Sequence, residues 1–168
     1  MRELWLLTSL FALATRTIRV MWRVAQPADD DLIVEMCLRL YAEDAGLTPV
    51  RAENMRGTLE ALRREPRRGQ AVALEIEGRI LGYALLIPYW SNEFGGDVCA
   101  IDELFIVPEG RSRGHGRSLF DAIARGELWP TPIVAMALGV TPGNSRARKL
   151  YERLGFAEIG VSMVRRLP

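Results

Sequence analysis

Three groups of residues in this sequence have the types and spacing for chemistry. The run Arg111-Ser112-Arg113-Gly114-His115-Gly116, with Arg117 next, sets two glycines among arginines between an apolar stretch and an amphipathic one. A backbone there can approach a ligand closely, and the free amides and dipole of a helix start favour an anion by ~0.3–2 kcal/mol per charge. A turn that only joins strand to helix has the same composition. A dinucleotide fingerprint does not fit, because GHGRSL lacks the third glycine, and a Walker loop is excluded because no Gly-Lys pair exists. The second group is Asp102-Glu103 inside VCAIDELFIV. On a strand these neighbours face opposite ways, so only one lines a given cleft unless a bulge intervenes. The third is Tyr151, which shares helical spacing with Ala147, Leu150 and Leu154, a pattern that also suits a core tyrosine. Other schemes fall away. One histidine and two cysteines, Cys37 and Cys99, build no zinc site, metalloprotease motif or disulfide framework, so no metal is expected and the thiols read as buried.

The elements that must position these groups follow from periodicity. Ile18 to Val24 alternates as a strand, ended by Pro27, and Asp29-Asp30-Asp31 suit a helix start. Leu32, Ile33, Met36, Cys37, Leu40 and Tyr41 give a helix over about 29–43. Thr48 and Pro49 read as N-cap and first turn of a second helix, with Met55, Leu59 and Leu62 on its apolar side. Residues 70–77 and 80–90 form a hairpin about Gly78-Arg79, and 98–107 is a fourth strand. A helix over about 115–127, a strand at 132–140, a helix over 144–154 capped by Asn144, and a last strand or hairpin complete the chain. That order is α/β with a mixed sheet, and strand 98–107, helix, strand 132–140 should be a right-handed parallel crossover. Ligands of such sheets bind at the carboxyl ends of the strands, where the 108–116 loop lies.

Two motifs in register carry a resemblance. Strand-Pro-x-x-Arg-x-x-Gly-x-Gly, followed about 28 residues later by Asn144-x-x-Ala-x-x-x-Tyr151-x-x-x-Gly-Phe, resembles the GNAT superfamily of N-acetyltransferases, and the order of elements agrees over residues 18–168. The resemblance implies an α/β fold with a mixed, mostly antiparallel sheet, a parallel pair at the cofactor site and about four flanking helices. It implies acetyl-CoA as co-substrate, with the amides of Arg111–Gly116 on the pyrophosphate and Arg117 and Arg148 as further cations. The backbone of Leu104, Phe105 and Ile106 would run along the pantetheine arm, with Asn144 and Tyr151 near the thioester. Ser112 stands where glycine is usual, which is tolerable if its φ is negative. His115 replaces an aliphatic residue and is expected to pack beside the helix as a neutral ring, the alternative being a polar contact to the cofactor phosphate.

The implied chemistry needs a base, because a protonated alkylamine has a pKa near ~10.4 and is not nucleophilic. Glu103, with Asp102 next, is the candidate, acting directly or through water; either acid could instead attract a cationic substrate or form an ion pair. Tyr151, a phenol with reference pKa near ~10, is the candidate acid for the leaving thiolate. An amide near Ile106 is the candidate oxyanion donor. The acceptor wall is expected from Tyr41 and Glu43 in one loop and from Trp90, Glu93 and Asp97 in a long aromatic one, a set suited to a cationic amine. A protein acetyltransferase would need an open groove, against which the 88–97 loop argues. A non-catalytic acyl-CoA-binding module would keep the 111–116 loop and dispense with Tyr151 and the acids.

Composition agrees with one domain: 168 residues, 49% hydrophobic, 26% charged and net charge +1. The charge is sorted, with −5 in residues 69–107 and +5 in 108–168, as expected for a cationic acceptor meeting an anionic cofactor. The overall balance argues against nucleic acid as a partner. The apolar run Leu4–Ala14 is too short to span a membrane, which takes roughly 17–25 residues, and Arg2-Glu3 give a signal peptide no net positive start. Residues 1–17 are therefore read as an N-terminal extension, either an upstream-start artefact before Met21 or an appended amphipathic helix, ahead of an acetyltransferase domain at 18–168. The expected setting is cytoplasmic, with no membrane partner, a small amine as acceptor, and a homodimer left open.

Overall fold

A computed structural model describes residues 20–46, 48–129 and 131–165. The proposed 1–17 extension and the start of the domain at residue 18 lie outside the described residues. The chain runs β1 (Val20–Val24), α1 (Asp30–Glu43), α2 (Ala52–Arg64), β2 (Gln70–Ile76), β3 (Arg79–Ser91), β4 (Gly96–Ile106), α3 (His115–Ala124), β5 (Ala135–Leu138) and α4 (Ser145–Arg153). The five strands form one sheet in sequence order. The β1–β4 pairs are antiparallel and β4–β5 is parallel, so the expected mixed sheet with four helices is present among the described residues.

Both faces of the sheet are covered, which is why its central strands read as nearly unbroken apolar runs. Period-2 alternation sends Ala71, Ala73, Tyr83 and Leu85 to one core with Ile33, Cys37, Met55 and Leu59 of α1 and α2. Val72, Leu74, Ala84 and Leu86 go to the other, with Leu119, Phe120 and Ile123 of α3. Trp22 enters this second core and donates its indole N–H to the His115 carbonyl (3.0 Å), tying β1 to the first turn of α3. At the end of β1, the buried Asp29 accepts from both terminal nitrogens of Arg23 (2.7 and 3.1 Å) and from the Gln26 amide (2.7 Å). The Arg23 guanidinium holds the Asp29 carboxyl below the ordinary range, against the opposing effect of burial.

Several boundaries differ from expectation. Helix α2 begins at Ala52, not at Thr48-Pro49: the Asn54 side chain accepts from the Arg51 amide (3.1 Å) and caps the helix there, while Val50 packs on the core in the approach. The β2–β3 turn is Glu77-Gly78, both at positive φ (50° and 79°), one residue earlier than read and of the kind whose twist suits a two-residue hairpin. Residues 88–97 are not a long loop: β3 and β4 stay paired from Pro88↔Cys99 to Ser91↔Gly96, leaving a turn at 92–95. Residues 157–165 form no strand.

Candidate active-site cleft

The cleft begins where the sheet opens. Strand β5 pairs with β4 only from Val98↔Ala135 to Ile101↔Leu138. On the other side the β3–β4 register jumps from Leu85↔Glu103 to Leu86↔Ile101, so Asp102 is an extra, bulged residue. The bulge turns Ile101 toward the α3 core and Glu103 toward Tyr83 on the α1 side. Beyond it, Leu104, Phe105 and Ile106 have no β5 partner and line a cleft of about 1070 Å³ between the carboxyl end of β4 and helix α4.

The floor of the cleft is the turn into α3. Gly114 occupies the left-handed region (φ 83°) as N-cap, which glycine adopts without strain. Gly116 leaves room for α4 in a different way, since a Cβ there would sit 3.0 Å from the Leu150 side chain and require it to shift by a few tenths of an ångström. The first bond of the helix runs from the Ser118 amide to the Gly114 carbonyl (3.0 Å), so the amides of His115, Gly116 and Arg117 precede the helical ladder and face an anion without competition. His115 lines the cleft, and burial, helped by the charge of Arg113, pushes its pKa down, as expected for a neutral ring. Ser112 departs from expectation. Its φ is +62°, a conformation that strains a residue with a side chain.

Three acids surround the upper cleft in different states. Both oxygens of Glu103 are occupied, by the Tyr41 hydroxyl (2.8 Å) and the Tyr83 hydroxyl (2.7 Å). Burial first, and Glu103 beside them, push both phenols far up, so they stay donors at any working pH. Glu43 is bound to Arg111 (2.6 Å), whose Nε donates to the Ile106 carbonyl (2.6 Å) while the guanidinium lies over the Phe105 ring at 5.1 Å. Asp44 accepts from Thr141 Oγ1 (2.6 Å) and Asn144 Nδ2 (2.8 Å), and so straps the end of α1 to the turn before α4. Asn144 is fully used, because its Oδ1 caps α4 by accepting from the Ala147 amide (3.1 Å). Tyr151 faces the cleft from α4 and packs edge-on against Phe120 and Phe156, both at 5.9 Å. Burial, then the charge of Asp44, pushes its pKa up.

Most residues singled out from the sequence meet here: Glu43, Leu104, Phe105, Ile106, Arg111, Ser112, Gly114, His115, Gly116, Arg117, Asn144 and Tyr151 all line the cleft. Glu103 and Tyr41 stand behind that wall and the bulged Asp102 is exposed. Arg113 is beside His115 rather than in the wall, and Arg148 is turned outward onto Glu158 (2.6 Å). The aromatic set is in another place altogether. Trp90, Glu93 and Asp97 lie at the β3–β4 hairpin tip, and Asp97 is separated from Leu104 by seven strand residues, roughly 23 Å at 3.3 Å per residue. They do not wall this cleft. The sequence reading missed Arg153, which lines it with Arg146; the two are seven apart, on the same stripe of α4 as Leu150, and that spacing was the available signal. It also missed Tyr83, whose role shows only through its pairing opposite Phe105.

The sheet is thus parted after a β4 bulge, with a glycine turn feeding a helix N-terminus into the gap and a tyrosine facing it. Residues 34–156 match the acetyltransferase (GNAT) family, and the chain belongs to that family. It is 30% identical over 84 residues to an uncharacterised N-acetyltransferase, YhfO, of Bacillus subtilis; the matched stretch is 50% of this chain, and the chain spans only about half, 56%, of that relative. The fold matches a possible acetyltransferase from Clostridium difficile 630 (TM-score 0.73, 22% identity, 89% of this chain and 97% of that one). It also matches an aminoglycoside N-acetyltransferase, AAC(6')-Iy, solved with CoA (TM-score 0.74, 18% identity, 92% and 99%). A third match is a ribosomal-protein-alanine N-acetyltransferase from Brucella melitensis (TM-score 0.66, 18% identity, 89% and 100%).

Proposed function

We propose that this protein is an N-acetyltransferase that moves the acetyl group of acetyl-CoA to the primary amine of a small cationic acceptor by direct attack. One observation carries the reading: the stretch of β4 beyond its β5 pairing, the amide-rich start of α3 and the Tyr151 side chain converge on one cleft. These residues fit the cofactor. The amides of 115–117 with Arg117, Arg146 and Arg153 suit its phosphates, and the free β4 edge at 104–106 suits the amides of its pantetheine arm.

In the reaction the amine nitrogen attacks the thioester carbonyl carbon, the C–S bond breaks, and three protons move: one leaves the ammonium before attack, one reaches the departing sulfur, and one leaves the nitrogen of the tetrahedral adduct for the Tyr151 oxygen, so that amide and free thiol result. The ammonium proton goes through water to Glu103, which Tyr41 and Tyr83 hold in one orientation. The oxyanion is met by a β4 amide near Ile106. Tyr151 gives its proton to the departing sulfur; burial raises its pKa, so the phenol is protonated at neutral pH but is a weaker acid than a free tyrosine. Asp44, which accepts from the neutral Thr141 and Asn144, supplies negative charge for a cationic acceptor, whereas Glu43 is paired with Arg111.

A second reading, acetylation of a protein amine, gains from the placement of the hairpin tip, because nothing from residues 88–97 closes the cleft against a peptide. Free-thiol release from acetyl-CoA, measured across amines, aminoglycosides and peptides, tests both. Acetylation of small amines is expected, peptide-only turnover would select the second reading, and thiol release with no acceptor above hydrolysis would leave a binding module. Tyr151→Phe should lower kcat by about 100-fold or more with little change in the KM for acetyl-CoA; an unchanged kcat removes Tyr151 from the mechanism.

A further inference from the structure

The amides that start α3 sit where a backbone is hardest to hold. His115 stands between Gly114 and Gly116, so neither neighbour has a side chain to limit rotation of the peptide planes on its two sides. These residues are also the first turn of the helix, the part that frays. The Gly116 amide belongs to one of those planes and lies in the wall of the cleft. Aim matters there, because a hydrogen bond weakens steeply as it bends.

A restraint comes from the other end of the strand order. Trp22 of β1 is buried in the α3 core, and its indole N–H donates to the His115 carbonyl (3.0 Å) while lying 3.2 Å from Ser118 Oγ. The Ser118 hydroxyl donates to the same carbonyl (2.8 Å), so one oxygen is held from two directions. That carbonyl and the Gly116 N–H are the two ends of one trans peptide unit and point opposite ways. Whatever holds the oxygen therefore also aims the amide. Donation to the oxygen polarises the unit as well, which makes its N–H a stronger donor. Trp22 is not among the residues that line the cleft, so its effect on a ligand passes through this peptide.

We propose that Trp22 is a positioning residue for the cofactor: its indole N–H holds the His115–Gly116 peptide so that the Gly116 amide meets the pyrophosphate of CoA. The proposal rests on the reading of this cleft as an acetyl-CoA site. It gives a residue on the edge strand β1, remote from the chemistry in sequence and outside the cleft wall, a part in cofactor affinity.

Trp22→Phe keeps an aromatic ring and removes the N–H. Titration calorimetry should show CoA binding weakened about tenfold, the order expected when one hydrogen bond to a charged group is lost. In the free protein the same variant should displace the Gly116 amide 15N signal while those of Gly126 and Gly155 stay in place, which separates aim from a general loosening. Unchanged CoA affinity overturns the proposal, and so does weaker binding with the Gly116 signal unmoved or with all three glycine signals moved. A wild-type protein that does not bind CoA overturns the functional reading, and this proposal with it. Should the variant not fold, the wild type decides. A bond that favours CoA is by reciprocity strengthened by CoA, so the Trp22 indole proton should move downfield as CoA is added. An indole proton that stays in place at saturating CoA overturns the proposal.

Discussion

The two halves of this molecule are packed to different standards. From β1 through α3 the sheet is covered on both faces, and side chains such as Ile33, Leu59, Tyr83, Leu86 and Leu119 are essentially inaccessible. From β5 onward every strand residue is half-buried, and α4 buries no residue fully. The division falls at the bulge on β4. The well-packed half fixes what must not move, namely the β4 backbone, the start of α3 and the Glu103 carboxylate between two tyrosines. The looser half carries Tyr151 and the cationic stripe of α4 on a helix held by a few specific contacts: the Asp44 strap, the Leu150–Gly116 approach and the aromatic trio. The cleft is thereby built by parting a sheet rather than by hollowing a core.

The same truncation made in each half tests this contrast most strongly. Leu59→Ala empties a site 1% exposed and should cost about 3 kcal/mol, within the range for buried leucines. Leu154→Ala, on a half-buried α4 position, should cost about 1 kcal/mol, since a partly exposed side chain forfeits only part of its transfer energy. Urea unfolding with equal m-values gives the two numbers. Equal losses would mean that α4 is as firmly built in as α2 and that the contrast is one of exposure alone.

A smaller effect is expected from the ion pair that secures the well-packed half. Asp29 has its pKa lowered by Arg23, so its stabilisation is complete above the unfolded value of about 4 and is lost as pH falls through the lower folded value. Asp29→Asn should therefore cost about 2 kcal/mol at pH 7, the range for hydrogen bonds to a charged group, and progressively less below pH about 4. A gap between variant and wild type that is constant with pH would show that Asp29 acts through shape and not through charge.

Much of the fold was legible because its signals are local. Apolar spacing found α1 and the buried face of α2, and Asn144 announced the cap of α4. The glycine turn was legible in the same way, as strand, two glycines and amphipathic helix occur consecutively. What misled were signals whose meaning depends on register. Trp90, Glu93 and Asp97 resemble a binding loop in sequence, but ladder pairing from Pro88↔Cys99 to Ser91↔Gly96 carries them to the far end of β4. Thr48-Pro49 is a fair helix start, outcompeted by the N-cap at Arg51, three residues after Thr48, where the Asn54 side chain accepts from the Arg51 amide. Asp102 and Glu103 could be sorted only once the bulge was located. The alternation in 157–165 has the period of a strand, but no strand forms there.

The smallest effect tests the boundary between the halves. Ser112 sits at φ +62°, at the turn where β4 hands over to α3, and its hydroxyl accepts a long 3.3 Å hydrogen bond from Arg146. A left-handed conformation costs a residue with a Cβ about 1–2 kcal/mol relative to glycine, while glycine adds unfolded-chain entropy worth about 0.5–1 kcal/mol. Ser112→Gly should then stabilise the protein by a net of about 0.5 kcal/mol, raising Tm by roughly 1–2 °C for a chain of this size. Differential scanning calorimetry resolves a shift of that size. The sign is the informative part. A fall in Tm would mean that the Arg146 contact across the cleft outweighs the backbone strain, and that α4 is fastened to the turn more tightly than its exposure suggests.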